Sequence, residues 1–456
     1  MVILNISSST QHPQYAGASL PQEPEGENPS TAARHTKPSY TVLQAAQQIT
    51  RNDLRWSDRN GDGVTQICVS FDKLAPGETA FNTVQKHQAR LVMQSWADVA
   101  NVTFQEGIAE PEGLLAFANS QNVEDGIAGW TMLPGQVGKV LVNSKYKEHA
   151  APALHNNPRG TLLHEVGHRI GLLHPGDYDG VGMNYRDHAE YAQDTESYSV
   201  MSYFRAAESG HNIAGCRPSA PMRDDIAAVQ RLYGSNYQTR NTDTTYGFNS
   251  NAGRDYYQLD RPRDVALFCV WDGGGVDTLD FSKYKQNQLI NLRAEELSNV
   301  GGLEGNVSIA RGVTVENAIG GSGNDVIIGN HADNVIKGGA GADHLRGAEG
   351  ADTFVYDDAN DSTLSAPDFI VDFVSGSDKI DISTLLSKAG IDKLTFVRQL
   401  SGKAGETFLD YNRSKNQSTL AIDLTGKGRF DFFVRSHGPI NPPDLITKAA
   451  GAQHYT

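Results

Sequence analysis

Residues 320–355 divide into four consecutive nonamers, GGSGNDVII, GNHADNVIK, GGAGADHLR and GAEGADTFV, and no other feature of the chain limits its fold so narrowly. Glycine opens every copy. The sixth position holds Asp325, Asn334, Asp343 and Asp352, and the eighth holds Ile327, Ile336, Leu345 and Phe354. In a repeat of this kind the first six residues form a turn and the last three a short strand whose middle residue points inward. Stacked turns bring carboxylates and glycine carbonyls of neighbouring copies to one point. Left alone the carboxylates repel, whereas a hard dication with about six to eight oxygen ligands satisfies them. The segment is therefore expected to be a calcium-bound parallel β-roll, loose without the ion because the binding energy is folding energy. A flexible Gly/Asp linker would not keep apolar residues in register at every ninth position. The second copy, with Ala332 for glycine and Asn334 for aspartate, is where calcium is least expected.

The remaining chain organises around this block. Its 456 residues suffice for two or more domains, each with a core. Lys and Arg total 39 against 54 Asp and Glu, a net charge of −15, which argues against nucleic acid or an anionic membrane as partner. Residues 1–38, rich in Ser, Pro, Gln, Glu and Thr, are expected to be a disordered leader or removable pro-segment. Helical spacing predicts helices over 42–49, 87–100, 159–171 and 223–233. Strand-like runs lie at 67–71, 115–118, 129–132 and 139–143. Beyond 235, short strands and Gly/Asp/Asn turns take over. The run Asp58-Arg59-Asn60-Gly61-Asp62-Gly63 matches the opening of an EF-hand loop, but its twelfth position is Val69, where a bidentate Glu is needed, so it reads as a turn. Cys68, Cys216 and Cys269 are too few and scattered for a disulfide framework or a cysteine zinc site. The N-terminus lacks a basic region and a Sec-type apolar run, and no apolar stretch reaches the roughly 18 residues that span a bilayer.

Residues 164–174 read His-Glu-Val-Gly-His-Arg-Ile-Gly-Leu-Leu-His. On a helix His164 and His168 share a face and aim two imidazoles at one point. Glu165 flanks that point, where it can take a proton from water on the metal. Gly171 can end the helix and turn the chain so that His174 returns as third ligand, and Pro175 keeps the helix from resuming. Three protein ligands leave a fourth position open, the catalytic pattern for zinc rather than the closed structural one. Downstream, Ser199-Val200-Met201-Ser202-Tyr203 places Met201 in a tight turn that can floor such a site.

The zinc motif, this Met-turn and the nonamers together resemble the serralysin family of metzincin proteases. The likeness runs from about Tyr40 to about residue 447 and includes His174-Pro-Gly-Asp-Tyr178, Asp224-Asp225-Ile226, Tyr246-Gly-Phe-Asn-Ser-Asn251 and Gly305-Asn-Val-Ser-Ile309. It implies an α+β chain: a metzincin-type zinc protease domain over 39–235, then an all-β domain over 236–456 with a parallel β-roll and a β-sandwich-like cap. It implies that Tyr203 ligates zinc at rest and stabilises the oxyanion in catalysis. Gly129, Trp130, Thr131 and Met132 match an edge strand that pairs with extended peptides, hence broad specificity. Family calcium sites match Arg240, Thr242, Thr244, Asp272, Gly274, Gly275, Asp277, Thr314 and Glu316. In the repeats they match Gly321, Gly323, Asp325, Gly338, Gly339, Ala340, Gly341, Asp343, Gly350 and Asp352. The resemblance further implies secretion from a Gram-negative cell through an ABC-type channel that reads a C-terminal signal, a small periplasmic protein inhibitor, and a monomer. The three cysteines and the ten residues after Ile446 depart from the family pattern. A leader without cysteine offers no thiol latch on zinc. Two rival readings are a calcium-dependent adhesion protein with an inert protease-like domain, and a protease of narrow specificity.

Overall fold

The computed structural model describes residues 37–108 and 111–448. The expected leader and the ten residues after Ile446 fall outside this range except for two residues each. The chain forms two compact units: residues up to Ser209 with Cys216–Asn236, and Gly210–Gly215 with Tyr237 onward.

In the first unit, helix α1 (Val42–Ile49) starts at a reciprocal cap between Thr41 and Gln44 and buries Val42, Ala45, Ala46 and Ile49. Strand β1 (Thr65–Ser70) alternates buried and half-buried residues, with Ile67 and Val69 inward. After β2 (Glu78–Thr79), helix α2 (Thr83–Val99) opens on a second reciprocal cap, Asn82 with Gln85, and buries Ala89, Val92, Trp96 and Val99. Strands β3 (Val102–Glu106), β4 (Gly113–Ser120), β5 (Gly129–Trp130) and β6 (Val140–Asn143) complete a sheet of order β3-β1-β4-β6-β5. Its pairs are parallel except β5, which runs antiparallel to β6 at the end of that order; β2 pairs antiparallel to β4 off this path. Helix α3 (Asn157–Arg169), capped by Asn156, is buried from Pro158 to Arg169, and Trp96 of α2 donates its indole N–H to Leu163 O at 3.3 Å. A short helix α4 (Tyr185–His188) and the helix α5 (Arg223–Tyr233) follow. The Asp58–Gly63 run is a turn, as expected: Gly61 and Gly63 donate to Asp58, and β1 begins two residues on.

Among its described residues the second unit holds a three-stranded sheet, Leu297–Ser298, Val307–Ile309 and Phe268–Val270, and two eight-stranded ones. One stacks Leu445–Ile446, Lys379–Asp381, Thr353–Val355, Val335–Lys337, Asn317–Ile319, Thr278–Asp280, Thr245–Phe248 and Gln258–Leu259, all parallel. The other begins Leu289–Asn291, Val326–Ile328, His344–Arg346, Asp368–Ile370, also parallel. Successive repeat strands therefore alternate between sheets, the path of a β-roll. Ile327 pairs with Leu345 in one sheet and Ile336 with Phe354 in the other, and all four are fully buried. Past the roll, Gln417–Asp423 lies antiparallel between Glu406–Asn412 and Phe432–His437 and continues the second sheet as its cap.

Candidate metal centre

Helix α3 aims His164 and His168 inward, and Gly171 ends it as the spacing required. Gly171 sits at φ +103°, its N–H donates to His168 O at 2.9 Å, and a Cβ there would lie 1.9 Å from Leu54 O. No residue with a side chain fits that turn. The chain then carries His174 back, so that its Nε2 lies 3.2 Å from His164 Nε2 and 3.0 Å from His168 Nε2. Each Nδ1 faces a backbone carbonyl: Val200 O at 2.9 Å for His164, Leu172 O at 2.7 Å for His168 and Tyr178 O at 2.7 Å for His174. A carbonyl only accepts, so each Nδ1 carries the proton and each Nε2 presents a lone pair. Burial lowers the pKa of all three rings, His164 to about 4, which keeps them neutral. Three converging lone pairs repel one another unless a cation sits between them. The donor set, the outer carbonyl partners and full burial together fit zinc.

The floor and rim of this centre come from other segments. Met201 is fully buried, and its sulfur occupies the space a side chain at Gly167 would take: a Cβ there would lie 2.6 Å from Met201 Sδ. The turn is held from α5, where Asp225 accepts Ser199 Oγ–H at 2.6 Å and the Val200 and Met222 amides at 2.8 Å. Tyr203 lies against the rings, 4.4 Å from His174 and 5.8 Å from His164 between centroids. Glu165 is fully buried; burial, then the charges of Asp179 and Glu165, raise the Tyr203 pKa. Gly129 of β5 packs on Thr161 and Glu165, which sets this end of the sheet beside the centre. A groove of about 650 Å³ runs past Trp130, Ile127, Leu141 and Gly180.

The expected edge strand 129–132 is shorter than its sequence suggests. Only Gly129 and Trp130 pair with β6; Thr131 makes an isolated bridge and Met132 none. The cause is Arg169, whose guanidinium binds Met132 O, Leu133 O and Gln136 O at 3.0–3.1 Å and draws the chain off the sheet.

Residues 235–447 match the family model described as Peptidase M10 serralysin C terminal. Over 443 residues the chain is 48% identical to the metalloprotease AprA of Pseudomonas entomophila, covering 90% of this chain and 91% of that one. It is 44% identical to serralysin C of Dickeya chrysanthemi over 89% and 90% of the two chains, and 43% identical to the serralysin of Photorhabdus luminescens over 88% and 89%. The chain belongs to the serralysin family.

In this serralysin the candidate calcium residues fall into two groups of the second unit. In the first, Asp277 Oδ1 accepts the Thr244 amide at 2.8 Å, and the Asp277 amide donates to Glu316 at 2.7 Å. Asp272 accepts the Gly274 amide and the Tyr246 hydroxyl, Gly275 packs on Thr242, and Thr244 Oγ1 donates to Thr242 O. Burial, then the charge of Asp272, pushes the Asp277 carboxyl up to about 8. The Arg240 guanidinium donates to Trp271 O at 2.8 and 3.1 Å. Thr314 lies two residues before Glu316, outside any strand.

The second group is the roll. Gly321 donates to Asp325 at 2.7 Å, Asp325 to Asp343 at 2.8 Å and Asp343 to Asp368 at 2.9 Å, which makes a ladder of buried carboxylates down one side. Gly339 packs on Gly321 O and Gly341 on Gly323 O, Ala340 donates to Gly321 O, and Gly338 lies against Asp343. The other ladder runs Asn334 to Asp352 at 2.8 Å and Asp352 to Asp378 at 3.1 Å, with Gly350 against Ala332 O. Burial leads the causes that push Asp343 to about 8 and Asp352 to about 7. The second copy differs in kind. Asn334 Nδ2 donates to Glu316 O and Asn330 Oδ1, and Asn330 Nδ2 to Leu292 O and Val315 O, at 2.8–3.1 Å.

Asp368 and Asp378 continue the ladders, and the charge of Asp361 helps raise Asp343 and Asp368; nonamer reading misses all three. Asp368 is fully buried, and burial and Asp343 push it up to about 9. It continues the Asp325–Asp343 ladder from 25 residues on instead of 18. The insertion over Tyr356–Pro367 breaks the period, so only a search for aspartates beyond the repeats would have found it. Cys68, Cys216 and Cys269 form no disulfide with one another. Among the described residues no helix is long and apolar enough to cross a membrane.

Proposed function

We propose that this chain is a secreted zinc-dependent endopeptidase that hydrolyses peptide bonds in extracellular or host proteins with broad specificity. The observation that carries this reading is the convergence of three neutral imidazole Nε2 atoms within 4.8 Å of one another beside a buried Glu165. Zinc held by His164, His168 and His174 would supply a Lewis acid that polarises a carbonyl and acidifies water. Glu165 takes the proton of the attacking water and passes it to the leaving amine. Tyr203, which would also ligate zinc at rest, lies against His174 and is placed to donate its hydroxyl to the oxygen on which charge develops. An extended peptide would align with strand β5 at Gly129 and Trp130, the last strand in the sheet order, and that pairing reads main chain, not side chains. Thr131 and Met132 have lesser parts in it.

Residues 39–235 act as the catalytic domain and 236–456 as a calcium-binding one, with several structural Ca²⁺ ions taken by the Asp272–Asp277–Glu316 group and by the roll, including Asp361 and Asp368. The raised carboxyl pKa values and the carbonyl-lined turns support that assignment. We further propose removal of residues 1–38, signal-peptide-independent export through an ABC-type channel of a Gram-negative cell, a small periplasmic inhibitor, and a monomer. The intact Glu165 and the relatives named as proteases count against an inert adhesion domain. Metal analysis and casein cleavage test the reading with the purified chain and its Glu165→Ala variant. We expect one zinc in both and cleavage lowered about 10²- to 10⁴-fold in the variant; equal inactivity of the two would overturn it.

A further inference from the structure

We propose that Asp194 is a positioning residue for the metal centre, its carboxyl tying the loop that carries His174 to the turn that carries Met201 and Tyr203. The proposal rests on reading that centre as a zinc site.

Asp194 is fully buried, and a single oxygen, Oδ1, accepts two hydroxyl donors from distant parts of the chain. The first is Tyr178 Oη–H at 2.9 Å, 16 residues back. Tyr178 is the residue whose carbonyl orients His174, and its ring also stacks on the His174 imidazole, 5.2 Å away and 9° from parallel. The second is Ser202 Oγ–H at 2.6 Å, eight residues on. Ser202 stands between Met201 and Tyr203, and its Oγ accepts the Phe204 amide at 3.1 Å, so both flanks of Tyr203 are fixed by the hydroxyl that Asp194 holds. The Tyr178 and Tyr203 rings themselves lie 5.1 Å apart. One acceptor thus sets the third imidazole and the phenol relative to each other. The Tyr178 and Tyr203 rings share one apolar cluster with Ala189 and Phe204, against which Met183 and Tyr185 pack. A buried hydroxyl left without its acceptor turns toward any other it can reach, and here turning moves either the loop or the turn.

A buried aspartate that merely stabilises the fold would make the same two bonds, so the test separates geometry from stability. Asp194→Ala and Asp194→Asn are compared with the full-length protein for zinc affinity by chelator competition, for kcat and KM on a peptide, and for thermal unfolding. Asparagine keeps a two-lone-pair oxygen at the same place. We expect alanine to weaken zinc about 10- to 100-fold, the range for lost outer partners of metal ligands, and to lower kcat more than it raises KM. Asparagine should restore both to within a few-fold. An alanine variant with unchanged zinc affinity and kcat, whatever its melting temperature, overturns the proposal. Should alanine not fold, Tyr178→Phe and Ser202→Ala each remove one arm. The first is expected to weaken zinc through His174 and the second to lower kcat through Tyr203; wild-type values in both overturn the proposal. A wild-type protein that neither bound zinc nor cleaved peptide would instead remove the zinc reading, and the proposal with it.

Discussion

The three carbonyls that hold the imidazoles belong to three different stretches of chain: Val200 in the Met-turn, Leu172 after α3, and Tyr178 beyond Pro175. The ligands are legible from spacing alone because a helix and one turn place them. Their orienting partners are not, since Asp194 and Asp225 reach the centre only through tertiary folding. Burial pushes both carboxyls up to about 7 from an ordinary value near 3.8. A group held protonated in the fold but ionised in the unfolded chain stabilises fully below about pH 4 and loses that contribution as pH rises through about 7. Asparagine at 194 cannot ionise. The stability of wild type relative to Asp194→Asn should therefore fall between about pH 4 and 7, by at most about 1.4 kcal/mol per pH unit, and level off above. Chemical denaturation of the two proteins across that range checks it, and a difference flat with pH would contradict it.

Among the elements, α3 and its ending decide whether a centre forms. The helix was readable from its apolar spacing, and Gly171 from its place in the motif. The close approach of Leu54 O was not, because it comes from a segment more than a hundred residues earlier. Gly171→Ala adds a left-handed strain and a backbone clash together, so a loss of more than about 2 kcal/mol is expected, with zinc content falling in parallel. Urea denaturation and metal analysis measure the two. The edge strand shows the opposite case, an element that pattern overextends. Residues 129–132 alternate acceptably for a strand, yet Arg169 captures the carbonyls that would have continued the ladder. Roll strands were more faithful to pattern, since a fixed period of nine leaves each apolar residue only one inward position. Leu345→Ala removes a fully buried side chain from that stack and should cost about 2–5 kcal/mol, read from denaturation of the calcium-loaded protein.

For the molecule as a whole, the division into two units gives metal removal two distinct signatures. Withdrawing calcium with a selective chelator is expected to abolish the far-UV β signal of residues beyond 235 while much of the first unit stays folded. An unchanged spectrum would refute the calcium reading of the roll. The repeats announced this architecture in the sequence, whereas Asp368 and Asp378 stayed hidden because the chain leaves its period before closing the ladders. At the second repeat, the side-chain amides of Asn330 and Asn334 place four N–H bonds on main-chain and side-chain oxygens. Those donors come with the chain itself, so this rung needs no dication to satisfy its oxygens. Replacing Asn334 with Asp swaps donors for a charge and should raise the calcium concentration at half-folding. Winding of the coil would then have a fixed starting place, with the ion-hungry rungs closing outward from it on either side.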